Sequence, residues 1–127
     1  MTLPVLPQIK VDGFSFSPVH GEGEVKVDVS GNADMRVMDE LDRALETLGP
    51  ALQACGARSV VFDIRSLYFM NSSCFKCFVT FIVTILDLPK ARHVRVVFLS
   101  NPKLHWQDRS LEAIRSIAPE IVRIETS

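Results

Sequence analysis

The beginning of the chain alternates between hydrophobic and polar positions, which is the pattern of β-strands. Ile9 to Phe16 alternates in part, with an interruption near Asp12-Gly13, and predicts an edge strand. Pro18 to Gly23 has the composition of a turn. Glu24 to Val29 alternates strictly, which predicts a strand with one buried face. We therefore expect a hairpin, followed by a loop over residues 30–34.

A helix is predicted from Met35 to Ala54, where hydrophobic residues recur at helical spacing. Asn32 or Asp34 is the expected N-cap, because their side chains accept hydrogen bonds from the first helical turn. Gly49-Pro50 predicts a break or kink, since proline lacks the N–H that a helix interior needs. Gly56 is the expected left-handed residue after the helix.

The second half of the chain alternates apolar strands with helical segments. Continuous apolar strands are typical of central positions in a parallel sheet. In chain order the predicted elements are a strand Val60–Ile64, a helix Phe75–Leu88, a strand Val94–Leu99, a loop Ser100–Gln107, a helix Asp108–Ile117 and a strand Ile121–Ile124.

The resulting order, ββαβαβαβ, indicates an α/β fold in a single domain. Short links imply a mixed, mainly parallel sheet with right-handed crossovers and helices packed on it. The domain is expected over residues 9–127. Residues 1–8 contain Pro4 and Pro7 and are expected to form a loose N-terminal arm.

Composition narrows the classes of function. The 127 residues carry a net charge of −1 without a dense run of Lys or Arg, which argues against nucleic-acid binding. The N-terminus lacks the pattern of a signal peptide, and the apolar run Phe75–Leu88 is too short to span a bilayer. Three cysteines without a disulfide-framework spacing fit a reducing compartment. We expect a cytoplasmic protein without a membrane-inserted segment.

The start of the Phe75–Leu88 helix is the strongest candidate site, because open α/β sheets place working residues beyond the carboxyl ends of strands. Asn71 and Ser72 are both good N-caps, and the N–H groups of the first turn suit an anionic oxygen. At about 100° per residue, Ser73 falls in the polar stripe of this helix with Lys76 and Thr80. Ser73 is therefore expected to present its hydroxyl to solvent.

The apolar arc of the same helix is wider than one contact with a sheet requires. Cys77, Phe81 and Leu88 fall on the flank between the apolar face and the polar stripe. We expect this flank to meet either another protein or a neighbouring helix.

Two interpretations of the helix start follow from its residues. An exposed serine in the first helical turn suits a phosphoacceptor, because a phosphate adds nearly two negative charges that would change a partner surface. The alternative is a doubly capped helix without further chemistry.

The same stretch resembles the anti-sigma factor antagonist family, whose domain is called STAS. In that family an apolar strand ends in Asp and is followed by Phe-Ile/Met-Asp-Ser-Ser/Thr-Gly-Leu. Here a strand ends at Asp63 and is followed by Phe69-Met-Asn-Ser-Ser. Gly31 and Asp34 resemble the Gly-x-x-Asp that precedes the first helix of the family. The order of elements also matches, so the resemblance spans about residues 9–125.

The resemblance implies a non-enzymatic signalling protein that switches partners in transcription regulation, with no cofactor or metal. It places the family's phosphorylated hydroxyl on Ser73. The implied partner is an anti-sigma factor or a serine kinase of the histidine-kinase-like ATPase fold, with a phosphatase that resets the switch. Asn71 and Cys74 stand where the motif has Asp and Gly. Both departures concern the phosphorylation of Ser73 more than the fold. The expected partner-binding residues are Asn71, Ser72, Ser73, Lys76 and Thr80, flanked by Gly31, Asp34 and Trp106.

Two other functions stay open. A constitutive STAS scaffold subunit, or a homodimer joined through the flank of Cys77, Phe81 and Leu88, would not need phosphorylation. Cys74 and Cys77 also form a CxxC at a helix start, where the pKa of a thiol is lowered, so a dithiol redox protein is the third possibility. Against it, thioredoxin-like folds end in a hairpin and a helix, whereas this chain ends in a helix and a strand.

Trp106 and Asp63 each allow two interpretations. Trp106 follows a central strand and is either an aromatic anchor for a partner or a ring packed on the margin of the core. Asp63 ends a strand, where it could serve as a metal ligand or acid, and it is expected instead to accept hydrogen bonds from loop N–H groups.

Overall fold

The computed structural model describes residues 3–126, which form one mixed sheet with helices packed on it. The strands are β1 Ile9–Val11, β2 Phe14–Gly21, β3 Glu24–Ala33, β4 Ser59–Asp63, β5 Leu67–Met70, β6 Arg95–Ser100 and β7 Val122–Thr126. The helices are α1 Met38–Ala54, α2 Ser72–Leu86 and α3 His105–Ile117, and a short 3-10 turn spans Lys90–Arg92.

The strands lie in the order β1-β2-β3-β4-β6-β7, and β5 pairs with the end of β3 beyond β4. The pairs β1–β2 and β2–β3 are antiparallel, and every other pair is parallel. This confirms the predicted α/β fold with a mixed, mainly parallel sheet.

One apolar cluster on one face of the sheet holds the fold together. It combines inward-facing strand residues with buried residues of all three helices. The ring of Phe62 on β4 lies at its centre, 5.3 Å from the ring of Phe78 and 5.6 Å from that of Phe81, both on α2. Edge-to-face aromatic pairs of this kind add stability beyond their buried area. The described residues contain no helix long and apolar enough to cross a membrane.

The division into an arm of residues 1–8 and a domain of residues 9–127 stays a prediction. Residues 3–8 have no regular secondary structure. Leu6 is nevertheless buried in the core, and His20 Nε2 donates to the carbonyl oxygen of Pro4 at 2.9 Å. The described part of the arm therefore lies against β2.

The turn predicted over Pro18–Gly23 is shorter than expected, because β2 continues through Pro18 to Gly21 and the turn itself is Glu22-Gly23. The carbonyl oxygen of Pro18 accepts from the side chain of Gln8 at 2.9 Å, so the backbone of Pro18 points away from β3. A proline whose missing N–H faces away from the neighbouring strand removes no ladder hydrogen bond. The interruption expected near Asp12-Gly13 is a tight turn that separates β1 from β2.

The loop predicted at residues 30–34 is also largely wrong, since β3 continues to Ala33 and pairs with a strand that the sequence pattern misses. That strand, β5, has only four residues and exposes Tyr68 and Phe69. Its sequence is an apolar run of only four residues, and so short a run does not distinguish a strand from a helical segment.

The helices differ from prediction mainly at their ends. Helix α1 begins at Met38 rather than Met35, and it continues through Pro50 without the predicted break. Helix α3 begins at His105 rather than Asp108, one turn earlier than expected. Gly56 has the predicted left-handed conformation, with φ of 69°.

Gln107 in the first turn of α3 fastens two loops at the carboxyl edge of the sheet. Its side chain is fully buried. Its Nε2 donates to the carbonyl oxygens of Ile64 at 2.7 Å and Leu67 at 3.1 Å. Its Oε1 accepts from the N–H of Asn101 at 2.8 Å. One amide thus satisfies three backbone groups, in the loops after β4 and β6 and at the first residue of β5.

We expect Gln107→Leu to lower the free energy of unfolding by about 3 kcal/mol, because three buried backbone groups lose their partners. Urea denaturation of the purified chain would measure this. Gln53→Leu is the matched control, because its single side-chain bond, to the carbonyl oxygen of Arg92, lies at an exposed site. Equal stability of the two variants would contradict the role assigned to Gln107.

Candidate functional site

Helix α2 begins directly after β5, at the carboxyl end of the sheet. Asn71 is its N-cap, and its side-chain oxygen accepts from the N–H of Cys74 at 2.8 Å. The N–H of Asn71 donates to the carbonyl oxygen of Ala33 at 2.9 Å, which ties the helix start to the end of β3. The predicted cap at Asn71 is confirmed. The alternative cap at Ser72 is wrong, because Ser72 is the first helical residue and is exposed.

Ser73 lies in the first turn of α2 and is half-buried. It lines an open depression of about 260 Å³ between α1 and α2. Within residues 3–126 its hydroxyl makes no hydrogen bond. The depression brings together four polar side chains and two less polar ones: Ser73, Lys76 and Thr80 of the predicted stripe, with Asp42, Met38 and Cys77.

Exposed hydrophobic side chains lie in the segments that lead into α1 and α2. Met35 precedes α1 and is 62% exposed, while Tyr68 and Phe69 on β5 are 59% and 48% exposed. Phe69 pairs in register with Asn32 on β3. Exposed apolar side chains at adjacent positions, such as Tyr68 and Phe69, are a common feature of surfaces that bind other proteins. Sequence reasoning missed these residues, although three consecutive large side chains at positions 68–70 were a usable signal.

Gly31 and Asp34 lie beside this helix start, each with a structural task. Gly31 has φ of 95° at a register shift between β3 and β5. A side chain there would overlap the carbonyl oxygen of Gly13. Asp34 is not the N-cap of α1, because its carboxylate accepts from the N–H of Arg36 at 3.0 Å and pairs with the guanidinium of Arg36. That guanidinium lowers the pKa of Asp34.

Comparison with known proteins identifies the fold to which this architecture belongs. The sequence matches no protein-family model and no curated protein sequence. The structure is similar to the crystal structure of an anti-sigma factor antagonist from Mycobacterium paratuberculosis, with a TM-score of 0.64. That similarity covers 90% of this chain and 86% of the other, at 18% identity. The chain has the STAS fold.

A second solved structure agrees. The anti-sigma factor antagonist SpoIIAA in its unphosphorylated form matches with a TM-score of 0.58 and 16% identity, over 88% of this chain and 87% of that one. At such low identity the likeness establishes the STAS fold alone. The sequence-based recognition of this fold is therefore confirmed.

The two cysteines of the CxxC lie inside the STAS fold rather than at its surface. Cys74 and Cys77 are both buried. Burial raises the pKa of each thiol to about 11, helped by the charge of Asp34 near Cys74 and of Asp42 near Cys77. The expectation of a lowered thiol pKa at this helix start is wrong, because burial penalises the charged thiolate. Among the described residues, no group of three or more His, Cys, Asp or Glu could hold a metal ion.

The flank of α2 does not offer the dimerisation surface that the homodimer hypothesis requires. Cys77 is 7% exposed and Phe81 is 4% exposed, and both line a groove against α1. The neighbouring helix therefore covers the flank, which was the second of the two expected outcomes. Leu88 lies beyond the end of α2 and is half-buried.

Trp106 lies in the first turn of α3 and packs against the core. Its indole nitrogen is buried and has no hydrogen-bond partner within residues 3–126. This placement favours the interpretation of a ring on the margin of the core over that of a free aromatic anchor. The adjacent His105 is exposed.

We expect Gly31→Ala to lower the free energy of unfolding by about 3 kcal/mol, because a left-handed conformation and a backbone overlap both oppose a side chain. Gly49→Ala is the matched control. Its added methyl group meets nothing within 4 Å, so helix propensity predicts a gain of up to about 1 kcal/mol. Urea denaturation measures both variants. A Gly31→Ala chain as stable as the native one would refute the constraint.

We expect only Cys55 to react rapidly with a thiol reagent such as DTNB at pH 8. A thiol with a pKa of about 11 carries roughly a hundredfold less thiolate at this pH than one at the ordinary 9.0. Cys55 is half-buried, while the other two thiols are buried. A Cys55→Ser variant should therefore lose the fast phase. A fast phase of two or three thiols in the native chain would contradict this.

Proposed function

We propose that this chain is a signalling protein of the anti-sigma factor antagonist type, and that it acts by binding another protein rather than by catalysis. One observation carries the proposal: the serines that begin α2 follow directly after β5, a strand that exposes Tyr68 and Phe69. The STAS fold shared with two anti-sigma factor antagonists supports it.

The proposed contact surface centres on the first two turns of α2. It comprises Asn71, Ser72, Ser73, Lys76 and Thr80. In this proposal Gly31, Asp34 and Trp106 shape the surface from the side, because each is already engaged within the fold. The partner would be an anti-sigma factor, or a serine kinase of the histidine-kinase-like ATPase fold, in the cytoplasm.

Phosphorylation of Ser73 would act as the switch, with a phosphatase as the reset. The first turn of a helix favours negative charge, so the fold itself would tolerate a phosphate there. A partner that binds the neighbouring apolar side chains would have to remove water from that phosphate, which is costly. Affinity would therefore fall without any refolding of the domain.

A second candidate function is a constitutive scaffold that is not phosphorylated. Asp42 favours it, because its carboxylate lines the same depression as Ser73 and would repel a phosphate. Asn71 favours it too, since an uncharged amide stands where the resembling motif has a carboxylate.

The test uses a candidate serine kinase of the histidine-kinase-like fold with ATP, and mass spectrometry to map the modified residue. We expect Ser73→Ala to abolish modification and Ser72→Ala, its exposed neighbour, to retain it. Full modification of the Ser73→Ala chain would remove the proposed switch.

The binding arm compares Ser73→Asp with Thr84→Asp, which adds the same charge further along the same helix. We expect Ser73→Asp alone to weaken binding to an anti-sigma factor, by about tenfold or more. Equal affinities for native, Ser73→Asp and Thr84→Asp chains would favour the scaffold.

A further inference from the structure

The outer edge of β7 presents backbone groups of Ile124 and Thr126 that pair with no strand of the described residues. Strand β7 is the last in the sheet order, so only β6 pairs with it in the described chain. The N–H of Val96 donates to the carbonyl oxygen of Ile121 at 2.8 Å, and the Ser100 hydroxyl donates to the carbonyl oxygen of Glu125 at 3.3 Å. Backbone groups alternate in direction along a strand. Those of Ile124 and Thr126 therefore point away from β6.

The two edges of the sheet are not equally protected. Strand β1 at the opposite edge has three residues, follows Pro7 and exposes Lys10. Short length, proline and lysine are the usual means by which edge strands avoid pairing with another chain. Strand β7 has five residues and contains neither proline nor lysine. Its edge is thus open to pairing, whereas that of β1 is blunted.

The side chains of β7 are complementary to a second copy of the same strand. Arg123 and Glu125 are exposed and lie on one side of the strand, with the half-buried Ile124 between them on the other side. Neither charged residue forms an ion pair with any described residue. In an antiparallel pair centred on Ile124, Arg123 of each copy lies opposite Glu125 of the other.

We infer that β7 pairs antiparallel with β7 of a second copy of this chain, about a two-fold axis at Ile124. The two Ile124 residues would then exchange both backbone hydrogen bonds, using the groups that point outward. Arg123 and Glu125 would form the intervening pair without hydrogen bonds, in which opposed side chains approach most closely. The direction of the backbone groups and the pattern of charges therefore agree on one register, the antiparallel pairing of two β7 strands centred on Ile124.

The register also accounts for the ends of the strand. The carbonyl oxygen of Val122 would accept from the N–H of Thr126 in the second copy. The N–H of Val122 already donates to the carbonyl oxygen of Ala118 at 3.0 Å, so it needs no hydrogen-bond acceptor in the second copy. Because the axis is two-fold, the assembly closes at a dimer. The inference does not depend on the function of the proposed contact surface at the start of α2, which we call the Ser73 surface.

Sedimentation equilibrium of the full chain tests the inference. We expect a monomer–dimer equilibrium, and Arg123→Glu should raise the dimer dissociation constant about tenfold, because two attractive pairs become repulsive. The double variant Arg123→Glu with Glu125→Arg restores opposite charges and should return the constant to within about threefold. Lys10→Glu on the protected β1 edge is the control and should change nothing.

Amide hydrogen exchange locates the interface independently of charge. Protection of the Ile124 and Thr126 amides should rise with protein concentration, while the Arg123 amide, which faces β6, should not change. A chain that stays monomeric up to about 0.5 mM would overturn the inference. So would a dimer that is insensitive to Arg123→Glu, or one that the double variant fails to restore.

Discussion

The backbone bend at Gly31 is the constraint on which the candidate site depends. Gly31 has a φ of 95°, and its N–H donates to the carbonyl oxygen of Ser66. The N–H of Asn32 donates to the carbonyl oxygen of Gly13. The end of β3 thereby leaves β4 and pairs with β5. Its last residue then accepts from the N–H of Asn71, which fixes where α2 begins. The position of the Ser73 hydroxyl thus follows from a bend far earlier in the chain.

The carboxylates at this end of the sheet are engaged by their own loops. Asp34 directly follows β3 and Asp63 ends the neighbouring β4, and each carboxylate accepts from the N–H of an arginine two residues later and pairs with its guanidinium. Arg36 and Arg65 lower the pKa of these carboxyl groups. Asp63 therefore has the predicted role of satisfying a loop N–H. Both carboxylates are therefore engaged in stabilising turns, and the charged side chains that line the Ser73 depression are instead Asp42 and Lys76.

Periodicity was sufficient for the central strands and α2, because their residues are buried in one core and repeat with one period. Periodicity failed where the secondary structure or the burial of a residue depends on contacts with residues distant in sequence. Strand β5 exists because β3 extends beside it, and nothing within Leu67–Met70 encodes that neighbour. Likewise Cys77 lines a groove against α1, the Cys74 thiol donates to the carbonyl oxygen of Asp34, and the buried amide of Gln107 donates to carbonyl groups distant in sequence. The motif around Ser73, by contrast, is local, so the sequence alone predicted its cap and its stripe.

The Ser73 surface and the β7 edge lie in different parts of the sheet, because β4 and β6 separate β7 from the strands that carry α2's start. Binding at one surface therefore leaves the other accessible. Antiparallel pairing of two β7 strands also reverses the direction of the second sheet. The carboxyl ends of its parallel strands would point away from those of the first, so the two Ser73 surfaces would face opposite ends of the joined sheet. Such a dimer would present two copies of one binding surface that a single partner molecule could not easily bridge.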